Sequence, residues 1–211
     1  ALHPAATMIV DGNAGVVIVD PEPDTVASYR ERAAAWQRDQ DTLREGVTVG
    51  PTCTRDGTPI TLLANVNRAE DMTAEIVEAV DGVGLFRTEY FFMTKDQLPS
   101  EEEQYRIYRG LCERAAGKEV VIRTLDAGGD KAIGYLKAGH EDNPMMGCRS
   151  IRLCLQRPEV ILPQIRAILR AGLHGNARAM LPLVSTRSEM QRARDLFRLA
   201  RQVNRADCQV F

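Results

Sequence analysis

Hydrophobic and polar positions follow two different patterns along the chain. From Thr7 to Val19, two short β-branched runs flank the turn-forming segment Asp11-Gly-Asn-Ala-Gly15, which predicts a β-hairpin. From about Asp24 to Glu45 most residues are charged, and the apolar ones recur at helical spacing. This second pattern predicts a single linker helix. Because two strands do not make a stable domain, we expect the hairpin to be the end of a domain that begins upstream.

Beyond residue 51, short apolar runs alternate with helical segments. The predicted strands cover 60–66, 82–86, 120–125 and 179–184, and the predicted helices cover 69–80, 99–116, a long segment around Ile161 to Leu169, and 188–203. Such alternation is typical of a parallel sheet covered by helices, an α/β fold. A complete eight-unit barrel needs about 250 residues, so these four β/α units represent about half of one. The last residues, 208–211, resemble the start of a fifth strand.

Composition narrows the class of protein. A hydrophobic content of 44% and a charged content of 27% are globular values, and a net charge of -2 argues against a strongly basic nucleic-acid-binding surface. No apolar run approaches the roughly 20 residues of a membrane helix, and no segment resembles a signal peptide, so we expect a cytoplasmic protein without a membrane or nucleic-acid partner. The cysteines lack CxxC spacing, which favours reduced, mostly buried thiols. They are Cys53, Cys112, Cys148, Cys154 and Cys208.

The candidate chemistry lies where strands end, since β/α domains place their sites at the carboxyl ends of the strands. Asn65 lies at the end of the first predicted strand, Arg87 directly follows the second, and the third runs into Arg123. Arginine has a permanent charge and a planar set of donors that match carboxylate and phosphate oxygens, so a pair suits a small anion bearing both groups. Glu89 and Asp126 are expected to neutralise or orient these arginines.

Two further segments add potential anion donors. The Gly128-Gly129 pair would let backbone amides approach an oxyanion, and Lys131 would add a compact charge. Arg149 and Arg152 are placed near a predicted helix start, which itself favours anions. Each feature alone has an ordinary explanation, such as a surface salt bridge or a simple turn. Their occurrence at successive strand ends favours a shared pocket.

Four segments in order resemble the phosphoenolpyruvate-protein phosphotransferases, the enzyme I family of the bacterial sugar phosphotransferase system. They span 82–93, 98–105, 123–131 and 143–152, and include Arg87-Thr-Glu89 and Arg123-Thr-Leu-Asp-Ala-Gly-Gly-Asp-Lys131. The resemblance covers essentially the whole chain. It implies three regions: residues 1–23 as the C-terminal end of a swivelling phosphohistidine domain, 24–50 as a linker helix, and 51–211 as the first half of a (β/α)8 phosphoenolpyruvate-binding barrel.

The resemblance also implies roles for individual residues. Arg87 and Arg123 match the family's two phosphoenolpyruvate-binding arginines, Lys131 and Arg149 would add electrostatic contacts, and Asn65 would line the pocket. The expected reaction moves the phosphoryl group to a histidine of the enzyme and then to a histidine phosphocarrier protein, with Mg²⁺, in sugar uptake or its regulation. The family's phosphoaccepting histidine, acid cysteine and Mg²⁺ ligands match no residue here, so the chain alone is expected to be inactive. A homodimeric parent enzyme is also implied.

Two alternatives remain at this point. Pyruvate phosphate dikinases and phosphoenolpyruvate synthases share the Arg-Thr-Glu segment but lack the Gly-Gly-Asp-Lys continuation. The second alternative is a non-catalytic docking module, which would not bind phosphoenolpyruvate.

Overall fold

The computed structural model describes residues 7–45, 51–129, 133–136 and 142–204. The chain divides into two compact units, residues 1–50 and 51–211. In the first unit, β1 (Met8–Asp11) pairs antiparallel with β2 (Val16–Val19), and α1 spans Pro23–Glu45. The Asp11 carboxylate accepts hydrogen bonds from the turn amides of Asn13 and Ala14 at 3.1 and 2.9 Å, which closes the hairpin. The predicted hairpin and helix are confirmed.

The second unit is built on a parallel sheet of four strands in chain order. These are β3 (Leu63–Val66), β4 (Gly82–Arg87), β5 (Glu119–Arg123) and β6 (Asn176–Met180). Each strand pairs in parallel with the next, and helices lie between them along the chain. The α/β prediction is therefore confirmed, in the arrangement of consecutive β/α units expected of half a barrel.

The helices of this unit begin at recognisable local signals. A 3-10 turn covers Ala69–Asp71, followed by α2 (Ala74–Ala79), α3 (Glu89–Met93), α4 (Glu101–Arg114), α5 (Ser150–Gln156), α6 (Pro158–Ala171) and α7 (Arg187–Asn204). At the start of α4, Ser100 and Glu103 form a reciprocal capping box. Pro158 occupies the first turn of α6, where its missing amide hydrogen costs nothing.

One face of the parallel sheet is covered by helices and forms a packed core. Val66, Phe86, Val120 and Ile122 are each 3% exposed or less. The Phe86 ring meets the Tyr108 ring of α4 edge to face, with 6.1 Å between centroids. Burial of this apolar surface is the main favourable contribution to the stability of the unit.

The sheet also corrects three of the predicted strands. The first begins at Leu63 rather than at residue 60, and the third is Glu119–Arg123 rather than 120–125. The last is Asn176–Met180 rather than 179–184. Leu181 and Val184 are half buried against the core without extending the strand. Pro182 has no amide hydrogen for the ladder, and Leu183 has a φ of 56°.

The helical predictions need smaller corrections. The predicted helix 69–80 is a 3-10 turn followed by α2. The long helix predicted around Ile161 to Leu169 is α6, and the separate helix α5 precedes it and meets it at Arg157. The short α3 was not predicted, since five residues are too few for a clear periodicity. Residues 208–211 lie outside the described residues. In the described part of the chain, no helix is both long enough and apolar enough to cross a membrane.

Candidate anion-binding site

The two predicted arginines lie side by side at the carboxyl ends of adjacent strands. Arg87 is the last residue of β4, Arg123 is the last residue of β5, and the two are register partners. Their predecessors Phe86 and Ile122 point into the helix-covered core, so both arginines project from the other face of the sheet. Arg87 is exposed, whereas the Arg123 side chain is only 15% exposed.

Two carboxylates hold the Arg123 guanidinium group. Its Nη2 donates a hydrogen bond to Glu89 Oε1 and lies 3.6 Å from Asp126 Oδ2. Glu89 is the first residue of α3, where the helix dipole stabilises a negative charge. The side chains of Glu89 and Asp126 are only 5% and 9% exposed, so water screens these charges weakly. The expectation that these carboxylates orient an arginine is confirmed for Arg123.

Arg149 joins the same cluster through Asp126. It lies at the start of α5, as predicted, and its side chain is 6% exposed. Its Nη2 donates to Asp126 Oδ1 at 3.2 Å. The Ser150 hydroxyl donates to the same oxygen. Asp126 therefore lies between two guanidinium groups, those of Arg123 and Arg149, and offsets their mutual repulsion.

The Gly128-Gly129 pair has a packing reason beyond forming a turn. Both residues have positive φ, 112° and 63°. A Cβ on Gly128 would lie 2.6 Å from Arg149 Cβ, and one on Gly129 would lie 3.0 Å from Arg149 Nη1. Glycine is therefore required both by conformation and by the close approach of Arg149. The suggested use of the glycine amides as oxyanion donors stays a prediction, and Lys131 lies outside the described residues.

Asn65 lies on the same face of the sheet as Arg87, farther from the strand ends. It is the penultimate residue of β3 rather than the last, it is exposed, and it is in register with Leu85, two residues before Arg87. Arg152, by contrast, is engaged elsewhere. Its guanidinium donates to the carbonyl oxygens of Met146 and Gly147 at 2.6 and 2.7 Å and to Glu189 at 3.2 Å.

The buried polar residues beneath this cluster were not predicted from the sequence. Thr88 and Gln164 are both 0% exposed. The Thr88 hydroxyl donates to the backbone oxygen of Arg123 at 3.0 Å, and Gln164 bonds both Thr88 and the backbone amide of Leu125. A signal was present, since Gln164 interrupts the apolar stripe of α6 between Ile161 and Ile168.

The described residues do not form a metal centre. Within residues 7–45, 51–129, 133–136 and 142–204, no three His, Cys, Asp or Glu side chains are grouped so that they could hold an ion. Glu89 and Asp126, the carboxylates nearest the arginines, are oriented toward guanidinium groups instead. The described donor set therefore does not fit Mg²⁺.

The described cysteines, Cys53, Cys112, Cys148 and Cys154, are thiols and form no disulfide bond among themselves. Cys112 and Cys154 are buried, and burial raises their thiol pKa values to about 11 and about 12. Cys148 is half buried and Cys53 is exposed, so the expectation of mostly buried thiols is wrong for Cys53. Cys208 lies outside the described residues. Buried neutral thiols of this kind are poor nucleophiles.

A parallel β/α sheet with arginines gathered at the carboxyl ends of its strands defines the class of domain that binds small phosphate- or carboxylate-bearing ligands. Residues 42–210 match the family model described as PEP-utilising enzyme, PEP-binding domain, where PEP is phosphoenolpyruvate. The chain belongs to this family.

Three curated proteins with similar sequences share one name. The three relatives described below all carry the name phosphoenolpyruvate-protein phosphotransferase. The relative from Staphylococcus carnosus (strain TM300) is 40% identical over 190 residues, which cover 90% of this chain and 33% of that protein. The relative from Bacillus subtilis (strain 168) is 42% identical over 188 residues, with 89% and 33% covered. One from Staphylococcus aureus is 43% identical over 190 residues, with 89% and 32% covered. The chain thus spans about one third of the length of these relatives.

Proposed function

We propose that the protein containing this chain is a phosphoenolpyruvate-protein phosphotransferase. It moves the phosphoryl group of phosphoenolpyruvate to one of its own histidines and then to a histidine phosphocarrier protein, in sugar uptake or its regulation. The shared name of the relatives supports this activity over the dikinase and docking alternatives. The observation that carries the proposal is the register pairing of Arg87 with Arg123 at the strand ends.

The charges of the described residues in this cluster suit an anion. Among these residues, Arg87, Arg123 and Arg149 supply three permanent positive charges, and Glu89 and Asp126 supply two carboxylates. An anionic ligand would relieve the remaining positive charge, and the weak screening in this half-buried setting would strengthen the attraction. In the proposed complex, Lys131 and Asn65 provide additional contacts.

Arg123 also has an unused donor. Its Nε is buried and has no hydrogen-bond partner among the described residues. An unsatisfied buried donor costs roughly 1–3 kcal/mol, and a ligand oxygen would remove that cost. We assign the phosphate or the carboxylate of phosphoenolpyruvate to this donor and to the neighbouring Arg87 guanidinium, whose planar donors match either group.

The remaining parts of the reaction are proposed to lie outside the described residues. Mg²⁺, when bound, would neutralise charge spread over the transferred phosphoryl oxygens. Its ligands, the phosphoaccepting histidine and the acid cysteine are assigned to other parts of the protein. By the same proposal, residues 1–23 end a swivelling phosphohistidine domain, 24–50 form the linker and 51–211 form the first half of the barrel. The whole enzyme is a cytoplasmic homodimer, and the chain alone is inactive.

Labelling with radioactive phosphoenolpyruvate and Mg²⁺ tests the proposal. The full-length protein should acquire acid-labile label, and Arg87→Ala and Arg123→Ala should each abolish it. Arg109→Ala is the matched control, because Arg109 lies on α4, is about half exposed and pairs with Glu113 at 2.7 Å. The 211-residue chain alone should take no label. Full labelling of both site variants would refute the proposal.

A further inference from the structure

A fully buried amide from α6 reaches both strand ends that carry the arginines. Gln164 is 0% exposed, and its Oε1 accepts the backbone N–H of Leu125 at 2.8 Å, two residues past Arg123. Its Nε2 donates to the Thr88 hydroxyl at 3.3 Å, one residue past Arg87. A single side chain thus contacts the backbone after β5 and a side chain after β4.

Thr88 completes the connection between the two strand ends. Its hydroxyl accepts from Gln164 and donates to the backbone oxygen of Arg123 at 3.0 Å. The chain from Gln164 through Thr88 to Arg123 therefore crosses from β4 to β5 at the row where the two arginines pair. Since Thr88 is also 0% exposed, water cannot replace these bonds without opening the core.

The same amide has a third contact that points away from the arginines. Gln164 Nε2 also donates to the Tyr108 hydroxyl at 3.0 Å, and Tyr108 donates to Gln104 at 3.2 Å. Gln104 in turn donates to the Pro99 carbonyl at 3.0 Å, at the start of α4. This branch joins helices α6 and α4, so the network contains one arm that reaches the strand ends and one that does not.

We propose that Gln164 is a positioning residue for the phosphoenolpyruvate-binding arginines, an inference that rests on the proposed function. Its amide fixes the backbone on both sides of the site: the segment between Arg123 and Asp126 through Leu125, and the turn between Arg87 and Glu89 through Thr88. Both guanidinium groups and both carboxylates are attached to these two segments. Binding sites of this kind depend on side chains held within about 0.5 Å of their productive positions.

The side-chain amide of Gln164 provides both the acceptor and the donor that these two contacts require. The Leu125 amide needs an acceptor, whereas Thr88, which donates its own hydrogen to Arg123, needs a donor. Glutamine supplies both from one planar group. Leucine has a similar volume and supplies neither, and ionised glutamate supplies acceptors alone.

The test compares the two arms of the network in the full-length protein. Gln164→Leu removes both arms, Thr88→Val removes the link between the strand ends with little change in shape, and Tyr108→Phe removes a hydroxyl of the other arm. For each variant we would measure the KM and kcat for phosphoenolpyruvate, the unfolding free energy, and amide hydrogen exchange at Leu125. Thr88→Val keeps the test decisive should Gln164→Leu fail to fold.

We expect Gln164→Leu and Thr88→Val to raise KM about tenfold, with a smaller change in kcat, and Tyr108→Phe to leave KM within about twofold despite a comparable loss of stability. Amide exchange at Leu125 should accelerate in Gln164→Leu and not in Tyr108→Phe. Equal KM values in all three variants would overturn the positioning role. If the unmodified protein does not use phosphoenolpyruvate, the proposed function fails, and exchange at Leu125 decides alone whether Gln164 fixes the strand end.

Discussion

The two faces of the parallel sheet differ in burial and in polarity. On the helix-covered face, Val66, Phe86, Val120 and Ile122 are buried in a continuous apolar core. On the other face, Asn65 and Arg87 are exposed, and Arg123 lies among carboxylates. The alternation of side chains along each strand places a core residue immediately beside each arginine. Residues that stabilise the core and residues proposed to bind the ligand are therefore direct neighbours in the sequence.

This comparison gives different expectations for neighbouring residues. Substitutions on the covered face should reduce stability, because they create cavities or lose apolar contact. Substitutions of exposed residues on the other face should leave stability nearly unchanged and alter ligand binding instead. Glu89, Asp126 and Gln164 are expected to affect both stability and ligand binding. They are buried, and they contact either the arginines or the segments that carry them.

The largest expected effect on stability is that of Phe86→Ala. Phe86 is 1% exposed and packs against Tyr108, so its truncation should cost about 3–5 kcal/mol of unfolding free energy. Urea unfolding followed by circular dichroism would measure the loss. Arg87→Ala, at the next position, is the matched control and should change stability by less than about 0.5 kcal/mol. Equal losses at both positions would contradict the separation of the two faces.

Asp126→Asn should have an intermediate effect. The substitution keeps the shape of the side chain but removes the negative charge between Arg123 and Arg149. We expect a loss of about 1–3 kcal/mol in urea unfolding, because both guanidinium groups remain mostly buried. Asp195→Asn, on the exposed surface of α7, is the control and should be nearly neutral. An Asp126→Asn protein as stable as the unmodified one would show that the carboxylate is not needed to hold the arginines.

The smallest effect concerns pH and the start of α4. The Lys95 ammonium and the Ser100 amide and hydroxyl lower the pKa of Glu103 to about 2, from 4.5. A depressed carboxyl pKa adds stability that is complete above pH 4.5 and is lost as the pH falls toward about 2. Since the side chain is 43% exposed, solvent screening limits this contribution to about 0.5 kcal/mol.

Glu103→Gln tests this contribution, because glutamine can still serve in a capping box. The difference in unfolding free energy between the unmodified protein and the variant should shrink as the pH is lowered from 4.5 toward 2. A difference that stays constant across this range would show that the ionised carboxylate is not responsible.

The sequence predicted the covered face better than the site. Short apolar runs such as 120–122 locate buried strands well, and the strand-end positions of Arg87 and Arg123 follow directly from them. The same criterion failed after Met180, where Leu181 and Val184 are apolar because they pack on the core from a loop. Apolar character reports burial and does not by itself report hydrogen bonding within a sheet.

The internal organisation of the site was harder to predict, because it depends on contacts distant in the sequence. Asp126 lies 23 residues from Arg149, and Gln164 lies 39 residues from Leu125 and 76 from Thr88. Asp126 was predicted to act on Arg87 and Arg123, but its contact with Arg149 and the contacts of Gln164 were not predicted. The glycine pair was predicted to let backbone amides approach an oxyanion, and its close contact with Arg149 was not predicted.

The central claim is that the paired arginines bind phosphoenolpyruvate, and calorimetric titration of the full-length protein with phosphoenolpyruvate and Mg²⁺ tests it most directly. We expect saturable binding that is weakened at least about tenfold by Arg87→Ala and by Arg123→Ala, in keeping with the loss of a charge-assisted hydrogen bond. Arg109→Ala should bind within about twofold of the unmodified protein. Unchanged affinity in both site variants, or equal weakening in all three, would contradict the account.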